Sequence, residues 1–429
     1  MGDAPRIAMV AGEASADLLA AHLMAAIKTR HPGARFMGIG GPRMVAEGFE
    51  AWWPGEKLAV RGYVEVLRHY HEITSIRRQL AQRLEHATER ERPHLFIGVD
   101  APDFNLALET RLRRGGLRTC HYVSPSIWAW RGGRVDKIRA AVDHMLCLFP
   151  FEPALYAKAG ISASYVGHPL ADLIGPDAGD AAARTAARAA LGLPQEAVLV
   201  ALLPGSRQSE LRYLAPRFIG AAQRLAQQRP ALHFVVPFAS AETELLWRAA
   251  QAAAGAGQAG AAVTAPAATV PAAHAGIPSG TPSGNRPGTA TGGLAATLPI
   301  TLVQRASHQA LAACDVALVA SGTATLEAAL LRRPMVIAYN MAPLSWALMR
   351  RMQYQPWVGL PNILCGQFVV PELLQDDATA DNLAQALGNL LDDARLRRRI
   401  AARFATLHAE LRQDSATRAA DAVDTLLRA

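Results

Sequence analysis

The sequence predicts an α/β protein made of two doubly wound, Rossmann-type domains that face each other across a cleft. Three observations carry that expectation. Strand-like apolar runs alternate with amphipathic stretches, an order that builds parallel sheets covered on both faces. The alternation occurs in two series, separated at residues 173–195 by an Ala-rich, polar segment suited to a hinge with a short helix. At 429 residues, 51% of them hydrophobic, the chain is too long for one ordinary domain and can bury two cores.

The first domain is expected over residues 1–172, with strands at 6–11, 34–39, 95–99, 118–123, 144–149 and 163–166. Each run ends in turn chemistry, and most are followed by a helical pattern. The second domain is expected over 196–395. Its strands are read in "AVLVALLPGSR" (197–207), "LHFVVPFA" (232–239), "ITLVQ" (300–304), "VALVAS" (316–321) and "PMVIAYN" (334–340). Residues 249–297 interrupt it with Ala, Gly, Pro, Ser and Thr and a single charged residue, Arg286. Such a segment buries too little apolar surface to offset its ordering entropy, and it reads as a disordered surface insertion. Helical patterns at 378–394 and 396–428 close the chain, and the segment 396–429 is expected to pack back on the first domain.

A formal net charge of +8 and a pI near 9.6 point to anionic partners. The charge is spread over many helices, which favours phosphorylated substrates or an anionic membrane surface and disfavours nucleic acid. The four cysteines, Cys120, Cys147, Cys314 and Cys365, form no CxxC pair, and three of them lie in or beside apolar runs. That usage fits a reducing, cytoplasmic location. No apolar run approaches the roughly 20 residues that span a bilayer, and no signal sequence opens the chain. There is no GxxxxGK[ST] or GxGxxG loop, no HExxH, no Cys/His cluster and no DxD between apolar strands. No metal and no cofactor are therefore expected.

In open α/β sheets ligands bind beyond the carboxyl ends of the strands, so the strand-end turns hold the candidates. The first, in "RIAMVAGEASADLLAAHLMAAIK", has one glycine, Gly12, and carries Glu13, Ser15 and Asp17. In "LLPGSRQSE", Gly205 frees the backbone, Ser206 follows, and Arg207 opens a helix. Helix-start amides with a guanidinium make a phosphate site, although a plain Gly turn with a surface Arg reads the same way. In "VASGTATLEAAL", Ser321, Gly322 and Thr323 start a helix carrying Glu327, which could accept from a ribose diol or simply face solvent. In "FIGVDAPDFNLAL", Asp100 and Asp103 follow an apolar strand. Asp103 is the better N-cap, which leaves Asp100 as the candidate general base; both could equally be structural.

Trp128 and Trp130 in "YVSPSIWAWRGGRVDKI" read either as walls of a sugar or acyl site or as packing, and His168 in "VGHPLAD" reads as a turn residue. Two aromatic, basic stretches, 60–80 and 344–360, mix residues suited to an acidic lipid surface, notably Val60, Tyr63, Val66, Leu67, Trp346, Met349 and Trp357. Ordinary amphipathic helices fit them too.

Taken in order, "AGEASADLL", "GIGGPRM", "GVDAPDFN", "YVSPSIWAWR", "VGHPLAD", "LLPGSRQSE", "ASGTATLE" and "LPNIL" resemble the lipid A disaccharide synthase family from about residue 6 to the C-terminus, interrupted only by the insertion. The resemblance implies a GT-B-like fold. It also implies an inverting, metal-independent glycosyltransferase at the cytoplasmic face of the inner membrane of Gram-negative bacteria. Its substrates would be UDP-2,3-diacylglucosamine and 2,3-diacylglucosamine 1-phosphate, and its products a β-1,6-linked disaccharide 1-phosphate and UDP. It assigns Asp100 as the base and places the diphosphate at Gly205, Ser206, Arg207, Ser321, Gly322 and Thr323. Glu327 falls on the ribose, Asn362 on the nucleotide side, and Glu13, Ser15 and Asp17 on the sugar side. A homodimer is compatible with it. One departure is Ala16, where the family usually has Gly. Ala there costs on the order of 1 kcal/mol if the turn needs φ > 0 and is favourable if the residue is helical. Rival readings are a UDP-N-acetylglucosamine 2-epimerase-like or peptidoglycan-transferase enzyme of the same fold, or a non-catalytic lipid-binding scaffold.

Overall fold

Thirteen strands form two parallel sheets in the computed structural model, which describes residues 4–58, 63–128, 132–261, 298–342, 346–347 and 355–428. The first sheet holds β1 (Arg6–Ala11), β2 (Arg35–Gly40), β3 (Glu50–Pro54), β4 (Leu95–Val99), β5 (Arg118–Tyr122), β6 (His144–Cys147) and β7 (Ala163–Tyr165). Its order is β3-β2-β1-β4-β5-β6-β7. The second holds β8 (Val198–Leu203), β9 (Leu232–Phe238), β10 (Ile300–Gln304), β11 (Val316–Ala320), β12 (Met335–Tyr339) and β13 (Glu372–Leu374), ordered β10-β9-β8-β11-β12-β13. Each order runs outward in both directions from a central pair, β1/β4 or β8/β11. Helices leaving those two strands go to opposite faces, and the loops between them part into a crevice.

The central strands are buried on both sides, as continuous apolar runs require. Every residue of β4 and β11 is buried. Leu199, Leu202, Phe234, Leu318 and Ile337 anchor the second core, and Ile7, Met9, Leu95 and Ile97 the first.

Two strands lie outside the sequence expectations, and both are at sheet edges. β3, "EAWWP", is largely exposed or half-buried, pairs through a register shift beside Gly38 and Ile39, and ends in a proline. β13 is three residues long and half-buried. Edge strands lack the two-faced burial that marks a strand in sequence.

The helix Ala241–Ala261 corrects the expected start of the disordered insertion at 249. Trp247, fully buried in the second core, anchors it, and an Ala-rich continuation has high helix propensity. Residues 262–297 lie outside the described residues.

The helical segment expected at 396–428 resolves into two helices, Ala394–Leu411 and Ser415–Arg428, broken at Asp414 in the left-handed region (φ 54°). The first packs Ile400, Phe404, Leu407 and Leu411 into the second core. The second packs Ala419, Ala420 and Val423 into the first, against the helix Ala14–Arg30, where Arg30 pairs with Asp421 at 2.8 Å. One carboxylate organises the break: Asp172 accepts from the backbone N–H of Gln413 (3.0 Å), Asp414 (3.0 Å) and Ser415 (2.7 Å). Nearby, His408 Nε2 donates to the Ala171 carbonyl (2.9 Å), and the His168 N–H donates to the Leu411 carbonyl (2.9 Å).

Because three hydrogen bonds to a charged partner are lost, each worth about 1.5–3 kcal/mol, Asp172→Ala should lower the opening free energy of the helix Ser415–Arg428 by about 4 kcal/mol or more. Amide hydrogen exchange checks this, with faster exchange in that helix and unchanged exchange in β8 and β11.

Candidate active site

At the β8/β11 reversal two strand-end turns face each other around a pocket of 340 Å³. Gly205, Ser206, Arg207, Ser321, Gly322, Thr323 and Glu327 all line it. Gly205 sits at φ 119°, and a Cβ there would lie 2.5 Å from Glu210 Oε2, so only glycine fits. Glu210 is a residue that motif reading passed over. Its Oε2 accepts from the N–H of Ser206 (2.9 Å) and Arg207 (3.2 Å), so the acid at the helix start closes the turn from its own side. Those two amides are therefore taken by Glu210 in this structure. The Arg207 side chain, 75% exposed, stands 3.7 Å from Glu210 Oε1 and is open to an anion from solvent. The sequence signal was present in the acid three residues into the helix, "RQSE". Opposite, Gly322 caps the helix Thr323–Leu330; the Thr325 N–H turns back to the Gly322 carbonyl (3.1 Å), and the helix N-terminus favours an anion. Glu327 contacts His308 Nδ1 at 3.1 Å.

Asn362 does not line this pocket. It is fully buried; its Nδ2 donates to the Val370 carbonyl (2.9 Å) and Glu372 Oε1 (2.7 Å), and its Oδ1 accepts from the N–H of Val369 (2.8 Å) and Val370 (3.0 Å). With its amide saturated, its role is to hold the chain after the helix Leu360–Cys365, and the nucleotide-side expectation is corrected.

At the β1/β4 reversal, Asp100 follows β4 in the left-handed region (φ 54°), and Ala101 is left-handed as well (φ 43°). For non-glycine residues such geometry costs on the order of 1 kcal/mol each and persists only where neighbours enforce it. Here the Asp100 N–H donates to the Tyr122 carbonyl (2.8 Å), and the Asp100 carbonyl accepts from Asn105 Nδ2 (2.8 Å). The carboxylate is half-buried and has no hydrogen-bond partner among the described residues. Asp103 is not the N-cap: Ala101 holds that position, and Asp103, 86% exposed, pairs with Arg134 at 2.6 Å.

Beneath this turn lies a buried polar group that motif reading missed. Glu109 Oε1 meets His121 Nδ1 at 2.8 Å with both side chains fully buried, and burial pushes the Glu109 carboxyl up. A Cβ on Gly98 would come within 2.2 Å of Glu109 Oε1, so glycine in β4 makes room for the carboxylate. Asn105 Oδ1, Glu109 Oε2 and His121 Nε2 have no hydrogen-bond partner among the described residues. A glycine inside an apolar strand is the signal that marks such a close approach.

Glu13 caps the helix Ala14–Arg30 by position, and it and Ser15 are exposed at its start. Asp17 is 3% exposed and accepts from the N–H of Gly41 (2.9 Å), Arg43 (3.0 Å) and Met44 (3.1 Å). It fastens the "GGPRM" turn and does not reach the cleft, which corrects its sugar-side assignment. Ala16 is buried within the helix, where Ala is favoured.

A family model described as lipid-A-disaccharide synthetase matches residues 7–281 and 294–425. A lipid-A-disaccharide synthase of Aromatoleum aromaticum is 53% identical over 422 residues, covering 98% of this chain and 95% of that protein. One of Dechloromonas aromatica is 50% identical over 424 residues, covering 99% of each. This chain belongs to the lipid-A-disaccharide synthase family. As a member it is a glycosyltransferase of lipid A biosynthesis, which sets aside the epimerase and scaffold readings. A putative UDP-N-acetylglucosamine 2-epimerase of Listeria monocytogenes superposes with TM-score 0.59 at 11% identity, covering 98% of this chain and 95% of that one. A UDP-GlcNAc 2-epimerase of Neisseria meningitidis bound to UDP-GlcNAc gives 0.57 at 10%, covering 99% and 100%. At that identity the likeness is one of fold, the two-domain GT-B arrangement.

The aromatic candidates of this family member divide. Trp128 is buried, donates Nε1–H to Glu152 Oε1 (3.0 Å) and stands edge-on to Phe149 (6.0 Å) and Phe151 (5.3 Å). His168 stacks on Phe149 (5.7 Å), accepts the Leu170 N–H at Nδ1 (3.2 Å), and burial pushes its pKa down to about 4. Trp346 is half-buried, 6.4 Å from Tyr339, and Trp357 is half-buried too. Tyr63, Val66 and Leu67 lie on the helix Tyr63–Glu85; Val60, Trp130 and Met349 lie outside the described residues. Among the described residues no helix is long and apolar enough to cross a membrane, and no cluster of His, Cys, Asp and Glu could hold a metal ion.

Burial pushes the Glu152 carboxyl from 4.5 up to about 7, against the N–H groups of Phe149 and Trp128 that favour its charged form. A raised carboxyl pKa contributes stability that is complete below about 4.5 and is lost as pH rises through 7. Glu152→Gln should therefore flatten the pH dependence of stability between those values, removing a slope of up to about 1.4 kcal/mol per pH unit. Denaturant midpoints at pH 5 and pH 8 measure it.

Proposed function

We propose that this enzyme transfers 2,3-diacylglucosamine from its UDP derivative to the 6-hydroxyl of 2,3-diacylglucosamine 1-phosphate, with inversion and without metal. The observation that carries the reading is the division of labour between the two reversals: an unpartnered carboxylate, Asp100, at one, and a pocket with an exposed Arg207 and a helix start at the other. Asp100 takes the proton of the acceptor 6-hydroxyl as its oxygen attacks the anomeric carbon from the face opposite UDP. The bond from that carbon to the diphosphate oxygen breaks, and the pair leaves with UDP. Negative charge growing on the diphosphate is met by Arg207 and by the N-terminus of the helix Thr323–Leu330, donors already in position before the reaction. Glu327 exchanges its contact with His308 for the ribose hydroxyls. Glu13 and Ser15, exposed beside Asp100's strand, offer acceptors to sugar hydroxyls. A net charge of +8 suits work at the anionic cytoplasmic face of the inner membrane, where both lipid-linked substrates reside.

Purified protein given both acylated substrates in the presence of EDTA should release UDP. Asp100→Ala should lower turnover by about 10²–10⁴-fold while UDP affinity stays within twofold, and Arg207→Ala should weaken UDP binding by about tenfold or more. UDP release that requires a divalent metal, equal release from a non-acylated UDP sugar, or parallel loss of turnover and UDP affinity in Asp100→Ala would contradict the proposal.

A further inference from the structure

A second cavity, of 680 Å³, opens between the two halves of the molecule. Ile127, Trp128, Phe151 and Leu155 line it from the first half, and Ile363 and Cys365 from the second. Among the described residues no charged side chain lines it. Its wall is built to stay apolar. The one polar atom of the Trp128 ring is taken by Glu152 at 3.0 Å, leaving hydrocarbon toward the cavity, and the edge-on Phe151 ring, 5.3 Å away, fixes the indole in place.

Short chain segments link the cavity wall to the candidate active site on both sides. The Trp128 loop leaves β5 directly after Tyr122, whose carbonyl accepts from the Asp100 N–H at 2.8 Å. The helix Leu360–Cys365 follows directly after Val358 and Gly359, and the Val358 carbonyl accepts from Ser321 Oγ at 3.4 Å. Ser321 lines the nucleotide pocket. An apolar space thus lies one loop from the candidate base and one hydrogen bond from the nucleotide turn.

We propose that this cavity receives a fatty acyl chain of a substrate sugar while the sugar lies at Asp100. The inference rests on the acyl-sugar reading above and adds a site to it: the acyl group enters a cleft between the halves of the enzyme, to which the 344–360 stretch contributes Gln355. It makes the chain a specificity determinant, because burying each methylene contributes favourably to binding.

Cys365 is a native reporter. It is half-buried in the cavity wall, whereas Cys120, Cys147 and Cys314 are buried. The full-length protein would be treated with N-ethylmaleimide, and alkylation of Cys365 followed by mass spectrometry with UDP, UDP-N-acetylglucosamine or UDP-2,3-diacylglucosamine present. In parallel, Leu155→Trp and Ile363→Phe would be assayed for KM with the acylated substrates and for UDP affinity. Expected are at least tenfold slower alkylation with the acylated donor only, and a KM raised at least tenfold in either variant with UDP affinity unchanged. Equal protection by UDP alone, which would report closure of the cleft, overturns the inference, as does unchanged alkylation under saturating acylated substrate. An unaltered KM in both variants overturns it too, and UDP binding identifies any variant that has failed to fold. If the unmodified enzyme forms no disaccharide at all, it is the proposed reaction that fails; if it turns over while Cys365 stays reactive, only the acyl site does.

Discussion

The reversal of winding in each sheet is the constraint on which the rest of the molecule depends. A parallel strand with neighbours on both sides leaves its helices packed over the sheet and its loops closed against each other. Only where the order turns back, between β1 and β4 and again between β8 and β11, do adjacent strand ends diverge and leave a crevice. The candidate catalytic and nucleotide-side residues, Asn362 apart, follow these four strands. Their convergence is a property of the topology, and the side chains at the turns decide only which chemistry each crevice performs.

The two crevices are kept open by different means. In the second, Glu210 absorbs the Ser206 and Arg207 amides and so shapes the turn, while Thr323 and Ala324 bring the start of the next helix to the pocket wall. In the first, two consecutive left-handed residues, Asp100 and Ala101, lift the carboxylate clear of its own helix. The strain is held by the Tyr122 carbonyl and by Asn105, and beneath them lies a buried Glu109–His121 pair with unsatisfied atoms on both partners. Strain and unsatisfied polar groups gathered under one carboxylate are a cost that a purely structural turn would have no reason to carry. The halves are then tied together at the hinge side by Asp172, whose three backbone bonds turn the chain from the second core back to the first.

Much of this was legible in the sequence, and the remainder was hidden for physical reasons. Continuous apolar runs such as "LFIGV" and "VALVA" announced central strands because burial on both faces demands them. The edge strands β3 and β13 carry no such demand. At the site, glycine placement and residue order marked the two turns that line the second-domain pocket and the strand-end position of Asp100. What sequence does not display is which backbone amide a carboxylate faces. Asp17 and Asn362 sit inside motifs that read as ligand contacts, yet each is spent on amides of its own fold, and Glu210 was overlooked for the converse reason. Ala16 shows the same limit resolved: its position is helical, so the replacement of glycine there is favourable.

The central claim is that the nucleotide belongs to the β8/β11 crevice and the acceptor chemistry to the β1/β4 crevice. Amide hydrogen exchange of the full-length protein with and without saturating UDP separates the two directly. The account predicts protection confined to residues 204–210 and 320–327, with exchange at 12–17 and 100–105 unchanged. Protection at 12–17 or 100–105 with none at the second-domain turns would contradict it.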